Sequence, residues 1–300
     1  MVATREGLPL KILITGITGM LGQALENEAQ FRGHSLVGLA QDGGDYRMDI
    51  TDLAMLERLV RAEAPDVIIH TAANTNLNAC EESPGQAYLV NARPVATLSE
   101  ICMQLNIYLI HISTDHYYSS GNRFLHDETS PIQLLNEYAR SKYTAEAFAL
   151  TNPTSLVLRT NIVGFRGRGI PTFIEWAIEG LRTGVPITLF DDFYTSSIDV
   201  KQFSRYLFDL LPSRPKGILN LAAREVCDKK TFVLHLAERL NFDISNVTTG
   251  SVMSLVGPKR ANCLGLDVSV AECLLGYNLP TTLQVIESIV SDYHRRSNAI

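Results

Sequence analysis

Short apolar runs alternate with helical patterns through the first half of the chain. Strands that are buried on both faces read as nearly continuous apolar runs, whereas helices repeat their apolar residues at helical spacing. Strands joined by helical crossovers form parallel sheets with both faces covered, so we predict a doubly wound parallel α/β sheet. Its strands are Lys11–Thr15, Ser35–Ala40, Asp66–His70, Tyr108–Ser113 and Ser155–Arg159, and its helices are Met20–Arg32, Thr51–Glu63, Pro84–Asn106 and Glu137–Leu150.

A glycine turn joins the first predicted strand to the first helix. Gly16, Gly19 and Gly22 stand three residues apart, directly after the apolar run. Glycine lets a backbone approach phosphates closely, and the free N–H groups of a helix N-terminus favour negative charge. A plain glycine-rich loop is the alternative, but the strand, turn and helix context favours a pyrophosphate site. We therefore predict that this turn binds a dinucleotide.

The pattern changes after residue 160 and predicts two domains. A glycine-rich loop is followed by shorter helices, few strands and one further buried run at Gly217–Ala222, which is typical of another strand of the main sheet. We predict a Rossmann-type dinucleotide-binding domain in residues 1–160, to which residues 194–222 return. Residues 161–193 and 223–300 form a smaller, mainly helical substrate lobe.

Tyr138 and Lys142 lie one helical turn apart at the start of a predicted helix. This spacing brings their Cβ atoms within about 5–6 Å of each other. A tyrosine with its ordinary pKa of about 10 is a poor acid near neutral pH, but a nearby ammonium lowers that pKa. Upstream, Ser113 and Thr114 end a strand, and one of their hydroxyls can hold a substrate carbonyl toward the tyrosine. A solvated helix face is the alternative interpretation of the pair alone.

Composition excludes several classes of function. The net charge of −6 argues against nucleic acid as the main partner. No apolar run reaches the roughly eighteen residues of a membrane span, and the polar N-terminus does not resemble a signal peptide. The five scattered cysteines suit a reducing compartment, and the seven histidines form no metal-binding motif. We expect a cytoplasmic protein without a metal site.

The ordered motifs resemble those of the extended short-chain dehydrogenases/reductases, and most closely the dTDP-4-dehydrorhamnose reductase branch. The resemblance covers nearly the whole chain. It rests on the segments Thr15–Gly22, Met48–Asp52, His70–Thr75, Val90–Ala92, Ile112–Asp115, Asn136–Lys142 and Leu266–Ser269.

The resemblance implies roles for named residues. Thr114 would orient the keto oxygen, Tyr138 would donate the proton, and Lys142 would lower the tyrosine pKa and hold the nicotinamide ribose. The pyrophosphate would lie against Gly16, Gly19, Met20, Leu21 and Gly22. Asp49 and Ile50 would flank the adenine, and Ala72, Ala73 and Thr75 would line the path to the nicotinamide.

The cofactor and the substrate stay partly open. The second strand ends in Ala40 and Gln41 without the acid that binds the ribose of NAD, and Asp42 comes late for that role, which slightly favours NADP. No arginine follows immediately to hold a 2′-phosphate, although Arg47 is near in sequence. Arg168 and Arg260 are candidates for the diphosphate of a nucleotide sugar, and a solvated turn explains Arg168 equally well. The chain lacks the tryptophan that the branch often carries after the fifth strand, and this departure leaves the sugar of the substrate open.

We therefore predict NAD(P)H-dependent reduction of a nucleotide-activated 4-keto-6-deoxy sugar by hydride transfer, with Tyr138 as proton donor. One alternative is a nucleotide-sugar epimerase or dehydratase that retains NAD. Another is a non-catalytic, reductase-like regulatory subunit. The helix Pro84–Asn106 is long enough to serve as a homodimer face, although packing in the core explains it equally well.

Overall fold

The computed structural model describes residues 9–118, 125–167 and 169–298. Within them the chain divides into two compact units. The first comprises the residues up to Thr114, together with Asn136–Arg159 and Ser204–Leu219. The second comprises Asp115–Leu135, Thr160–Phe203 and the residues from Asn220 onward.

The elements are numbered in chain order. The strands are β1 (Lys11–Thr15), β2 (Ser35–Ala40), β3 (Tyr46–Arg47), β4 (Val67–His70), β5 (Tyr108–Ile112), β6 (Leu156–Arg159), β7 (Ile162–Val163), β8 (Ile187–Phe190), β9 (Tyr194–Thr195), β10 (Ile198–Asp199), β11 (Gly217–Asn220), β12 (Cys227–Asp228), β13 (Val247–Gly250) and β14 (Cys263–Leu264). The helices are α1 (Met20–Phe31), α2 (Leu53–Glu63), α3 (Leu77–Glu82), α4 (Pro84–Asn91), α5 (Arg93–Leu105), α6 (Glu137–Ala149), α7 (Phe173–Thr183), α8 (Val200–Leu210), α9 (Lys229–Leu240), α10 (Ser269–Leu275) and α11 (Thr282–Ser297).

The first unit is built on one seven-stranded sheet with the order β11-β6-β5-β4-β1-β2-β3. The pairs from β6 to β3 are parallel. The predicted doubly wound parallel sheet is therefore confirmed. The strand order reverses between β1 and β4, and ligands of such sheets bind beyond the carboxyl ends of the strands at that point.

Burial of the central strands on both faces explains their apolar sequences. Ile12, Leu13 and Ile14 of β1 are fully buried. Leu13 belongs to a core cluster that also contains Leu56 of α2 and Leu98 of α5. The predicted runs thus became strands because helices cover the sheet, as parallel strands require.

The predicted helix Pro84–Asn106 is wrong in one respect, because it is two helices. Helix α4 ends at Asn91 and α5 begins at Arg93, with Ala92 between them. Pro94 lies in the first turn of α5. Proline has no N–H to donate and is tolerated in a first turn but not inside a helix, so a new helix begins here. Helix α3 and strand β3 are additional elements that the sequence pattern did not predict.

The predicted domain boundaries differ from the observed units in the described residues of 115–135, at Thr160, and at residues 194–203 and 220–222. The described residues between Asp115 and Leu135 lie in the second unit, since Asn220 donates hydrogen bonds to the carbonyls of His126 and Asp267. The chain returns to the first unit at Ser204 rather than at residue 194, because Ile198 in β10 pairs with β7.

The second unit has its own core and three small sheets. The parallel pair β8 and β13 and the group β12-β9-β14 flank the helices. Helices α7, α9 and α11 contribute the core side chains Ile174, Phe232, Leu236, Ile286 and Ile289. The mainly helical lobe that the sequence predicts therefore carries more short strands than expected.

A buried ion pair fastens α6 to the sheet of the first unit. Glu146 of α6 and Arg159 at the end of β6 are each about one per cent exposed, and Arg159 Nη2 lies 2.8 Å from Glu146 Oε2. Ser113, which follows β5, donates its hydroxyl to Glu146 Oε1 at 2.6 Å. One carboxylate thus joins α6 to the carboxyl ends of two neighbouring strands.

We expect Glu146→Gln to lower the free energy of unfolding by about 3 kcal/mol or more, because it leaves the Arg159 charge buried without a counter-ion. Urea denaturation measures the change. The control is Glu179→Gln, which breaks a solvent-exposed pair with Arg182 and should leave the unfolding midpoint unchanged. Equal midpoints for the Glu146 variant and the wild type would contradict this role.

Candidate active site

The glycine turn after β1 has a backbone that only glycine adopts easily. Gly16 has a φ of +73°, and its N–H donates to the Leu39 carbonyl at 2.7 Å. A Cβ atom at this position would lie 2.9 Å from Thr71 Oγ1 and 3.0 Å from Ala72 N. The turn is therefore closed against the loop that follows β4, and a side chain at Gly16 would force them apart.

Gly22 lets the first turn of α1 pack closely against the glycine turn itself. A Cβ atom there would come within 2.3 Å of the Gly16 carbonyl oxygen and 2.5 Å of Ile17 Cα. Gly19 is the N-cap of α1 and has no side chain to cap the helix. The N–H groups of Met20, Leu21 and Gly22 therefore begin the helix with no side-chain cap. This cradle fits a pyrophosphate, which such groups and the helix dipole attract.

The two residues expected beside the adenine have different surroundings. Asp49 is exposed, and its carboxylate accepts hydrogen bonds from the N–H and hydroxyl of Thr51 at 2.9 and 2.8 Å. These bonds lower the pKa of Asp49. Ile50 is buried in the same core cluster as Leu13 and Leu56. After β4, Ala72 and Ala73 are half-buried and Thr75 is exposed.

Strand β3 places an arginine beside the end of β2. Arg47 pairs with Ala40 in parallel register, and its Nε donates to the Gln41 carbonyl at 3.1 Å. Its Nη2 lies 4.0 Å from Asp42 Oδ1, and the side chain is 76% exposed. In sequence Arg47 stands seven residues after Ala40, so only the unpredicted strand β3 shows that the two are neighbours.

Helix α6 carries both members of the predicted tyrosine and lysine pair. It begins after Asn136, whose side chain accepts a hydrogen bond from Ala139 N at 2.8 Å. Tyr138 is buried and packs with Cys80 and Ala87. The cap and this packing fix the first turn of α6, which holds the tyrosine.

Lys142 is buried and its ammonium contacts β5. Its Nζ donates to the Ile112 carbonyl at 2.7 Å and lies 3.3 Å from His111 Nε2. Burial lowers the pKa of Lys142 to about 8, and the nearby Glu146 opposes that shift. The lysine is thus held at the Ile112 carbonyl, two residues before Thr114 in the sequence. Thr114 is itself buried.

The structure separates the two hydroxyls that the sequence left equivalent. Ser113 donates to Glu146 and so belongs to the buried ion-pair network. Thr114, the next residue, is the hydroxyl that the resemblance assigns to the substrate carbonyl. The structure therefore brings Thr114, Tyr138 and Lys142 into the first unit, around the carboxyl end of β5 and the start of α6.

The predicted substrate arginines belong to the part of the chain outside this unit. Arg260 lies in the second unit and is half-buried, and burial lowers its pKa. Arg168 lies outside the described residues.

A buried polar network in the second unit was not predicted. Lys229 donates to Ser197 Oγ at 2.8 Å, Ser197 donates to Asn161 Oδ1 at 2.8 Å, and Asn161 donates to Asp115 Oδ2 at 2.7 Å. Burial lowers the pKa of Lys229 to about 8, whereas Asp115 raises it. Only the position of Asp115 directly after Thr114 could have indicated this network from sequence.

Metal-binding clusters and membrane spans were searched among the described residues. No group of three or more His, Cys, Asp or Glu side chains could hold a metal ion there. None of the helices in that part of the chain combines the length and apolar character needed to cross a membrane.

Comparison with known sequences gives close relatives along the whole chain. The family model described as the RmlD substrate binding domain matches residues 10–290. The probable low-salt glycan biosynthesis reductase Agl14 of Haloferax volcanii is 29% identical over 299 residues, covering 93% of this chain and 98% of that protein. The dTDP-4-dehydrorhamnose reductase of Mycolicibacterium smegmatis is 35% identical over 162 residues, covering 52% of this chain and 46% of that protein. The match to that reductase thus covers about half of each chain.

Solved structures share the fold. The dTDP-4-dehydrorhamnose reductase of Bacillus anthracis in complex with NADP has a TM-score of 0.85 and 21% identity, with 95% of this chain and 99% of that chain covered. A hypothetical dTDP-4-dehydrorhamnose reductase from Sulfolobus tokodaii has a TM-score of 0.82 and 28% identity, with 90% and 97% covered. MoeE5 in complex with UDP-glucuronic acid and NAD has a TM-score of 0.80 and 21% identity. The match covers 96% of this chain and 99% of that chain.

These matches confirm the predicted resemblance and the predicted class, an NAD(P)-dependent oxidoreductase of the short-chain dehydrogenase/reductase type. The chain belongs to the family described as the RmlD substrate binding domain, whose model spans most of its length.

Proposed function

We propose that this chain reduces the keto group of a nucleotide-activated 4-keto-6-deoxy sugar, such as dTDP-4-dehydrorhamnose, with NADPH or NADH. The observation that carries the proposal is the buried Lys142 ammonium, held against the end of β5 by Ile112 and one helical turn from Tyr138. The named relatives with reductase activity support the substrate class.

Tyr138 is the proton donor in this proposal. Its ordinary pKa of about 10 is too high for acid catalysis near neutral pH. The Lys142 ammonium stabilises the phenolate and so makes the phenol a stronger acid. When bound, a nicotinamide dinucleotide supplies the hydride, and Tyr138 gives its proton to the keto oxygen, which the Thr114 hydroxyl orients.

The cofactor would lie along the carboxyl ends of the strands. The cradle of Gly16, Gly19 and Gly22 would hold the pyrophosphate, because the helix that begins after Gly19 has no side-chain cap and its first N–H groups favour an anion. Asp49 and Ile50 would flank the adenine, and Ala72, Ala73 and Thr75 would lead toward the nicotinamide. Lys142 would also hold the nicotinamide ribose.

Arg47 supports the preference for NADP. Its guanidinium lies beside the end of β2, where enzymes of this fold bind the adenosine ribose. An arginine there can hold a 2′-phosphate, and the strand ends in the buried Ala40 rather than in a carboxylate that would repel it. Arg260 of the second unit would bind the substrate diphosphate. Arg168, which lies outside the described residues, would be the second arginine for that diphosphate.

The proposal also includes a cytoplasmic location and a homodimer. All five cysteines are free, and Cys80, Cys102 and Cys263 are buried, which suits a reducing compartment. Helices α5 and α6 pack together and expose the apolar side chains Met103 and Phe148, which a second copy could cover.

We expect Tyr138→Phe to reduce the rate of keto-sugar reduction by about 10² or more, since the phenolic proton is lost while the ring keeps its packing. Oxidation of NADPH with a dTDP-4-keto-6-deoxy sugar measures the rate. The control is Tyr143→Phe on the same helix, where the exposed side chain should leave the rate unchanged.

A full rate in folded Tyr138→Phe would contradict the assigned proton donor. Turnover of wild type without added cofactor, with NAD retained through purification, would instead indicate an epimerase or dehydratase. Failure to reduce any keto sugar, with a stoichiometric partner enzyme, would indicate a regulatory subunit.

We expect Arg47→Ala to weaken NADPH binding about tenfold, because a charge-assisted contact with the 2′-phosphate is lost. NADH binding should change by less than about twofold, since NADH has no phosphate at that position. Fluorescence titration of each cofactor measures both constants. Arg58→Ala, at an exposed position of α2, is the matched control, and an unchanged NADPH to NADH ratio in Arg47→Ala would refute the role.

We expect the wild type to have twice the mass of one chain in light scattering, because burying the apolar side chains of α5 and α6 favours association. Met103→Glu combined with Phe148→Glu should give monomers. Monomeric wild type, or a dimer unaffected by both changes, would rule out this surface.

A further inference from the structure

We propose that His111 is a positioning residue for the catalytic lysine, and that it holds the Lys142 ammonium by accepting a hydrogen bond at an unprotonated Nε2. The inference rests on the proposed function, because Lys142 acts there through Tyr138. The sequence pattern marks His111 only as an interior position of a strand, and the function described above does not use it.

His111 ends a buried polar row that crosses three strands. Thr15 of β1 is in register with His70 of β4, and His70 is in register with His111 of β5. All three side chains are fully buried. The two imidazole rings stack with their centroids 5.5 Å apart. In the same register, the neighbours beyond the row are Leu39 on β2 and Val157 on β6.

The polar row therefore stops at the strand that Lys142 contacts. Val157 shows that the next strand fills the equivalent position with an apolar side chain. A histidine buried for packing alone would leave both of its ring nitrogens without hydrogen-bond partners, which costs desolvation free energy. The contact of His111 Nε2 with Lys142 Nζ at 3.3 Å gives this nitrogen a partner, whereas Nδ1 has none among the described residues.

The hydrogen bonds of Thr15 fix the tautomer of His70. Thr15 Oγ1 accepts from Thr71 N at 3.2 Å and from Ala72 N at 3.3 Å. Its own hydrogen is then available for His70 Nδ1, which lies 2.8 Å away. This arrangement favours the tautomer of His70 with its proton on Nε2, which has no partner among the described residues. Burial, followed by the charge of Lys142, lowers the pKa of His70 to about 3.

The same reasoning fixes His111. A charged lysine can only donate, so His111 Nε2 must be the acceptor and the proton must lie on Nδ1. Burial, the Lys142 charge and His70 all lower the pKa of His111 well below its ordinary value. His111 is therefore neutral near neutral pH, and its Nε2 is an acceptor as long as Lys142 is charged.

Loss of this acceptor would disfavour the charged lysine. Its ammonium has two acceptors among the described residues, Ile112 O and His111 Nε2. Hydrogen bonds to a charged form stabilise that form, and burial has already lowered the pKa of Lys142 to about 8. The titratable or charged groups around Lys142 are Tyr138 and Glu146 on its own helix, His111 on β5, His70 on β4 and Arg159, which is paired with Glu146, on β6.

The first test measures the tautomer in the protein without substrate. Nitrogen-15 NMR of labelled histidines, with the His111 signals identified by their loss in His111→Gln, should show Nδ1 protonated and Nε2 unprotonated between about pH 5 and 8. A proton on Nε2, or titration of His111 within this range, would overturn the proposal. Because no substrate is involved, this result is independent of whether the protein reduces keto sugars.

The second test measures kinetics in the holoenzyme. His111→Phe should lower kcat at least tenfold, while the Kd for NADPH changes by less than about twofold. Reduction requires protonated Tyr138 and charged Lys142, so the first proton lost by this coupled pair sets the alkaline limb of the pH profile. That limb should move to lower pH in His111→Phe. His111→Gln places an amide oxygen near the position of Nε2 and should restore most of kcat.

A matched control separates positioning from stability. Tyr108→Phe, on the same strand, removes a hydroxyl that donates to the Pro215 carbonyl at 2.5 Å. It should lower the unfolding temperature without moving the alkaline limb. Unchanged kcat and pH profile in folded His111→Phe, or equal loss in His111→Gln and His111→Phe, would overturn the proposal. If His111→Phe does not fold, the NMR tautomer and the pH profile of His111→Gln decide.

Discussion

The buried carboxylate of Glu146 is the constraint on which the candidate site depends. Its ion pair with Arg159 and its hydrogen bond from Ser113 join α6 to the ends of β5 and β6. Buried charges are stable only when they are paired and hydrogen-bonded, so this geometry allows little variation. Because Tyr138 and Lys142 lie on the preceding turns of α6, their position relative to β5 follows from it.

The sheet supplies the rest of the site. Parallel strands bring their carboxyl ends to one edge, and the strand order reverses between β1 and β4. The glycine turn after β1 is therefore close to the loop after β4, as the distance from Gly16 to Ala72 shows. The polar row from Thr15 to His111 crosses the same strands, and its last member, His111, contacts Lys142. The positions of the glycine turn and of Lys142 are thus two consequences of one strand order.

The sequence predicted the features that depend on local pattern. Burial on both faces makes β1, β4 and β5 continuous apolar runs. The close approach of the turn to Thr71 requires a glycine at position 16, so the glycine itself marks the turn in the sequence. The sequence did not predict β3, because a strand of two residues has no periodicity, and so it showed Arg47 only as near in sequence and not as the strand neighbour of Ala40. The separate roles of Ser113 and Thr114 depend on Glu146, 33 residues away from Ser113. The contact between His111 and Lys142 likewise depends on helix packing that no local pattern records.

The central claim is hydride transfer to a keto sugar with a proton from the protein. It is tested most directly with NADPH that carries deuterium at the transferred position, incubated with a dTDP-4-keto-6-deoxy sugar. Two cofactors are compared, each with deuterium on one of the two faces of the reduced nicotinamide. The account predicts that one of them transfers one deuterium to the former keto carbon for each NADPH oxidised, and that the other transfers none. A product that carries no deuterium from either labelled face, formed without oxidation of NADPH, would contradict it.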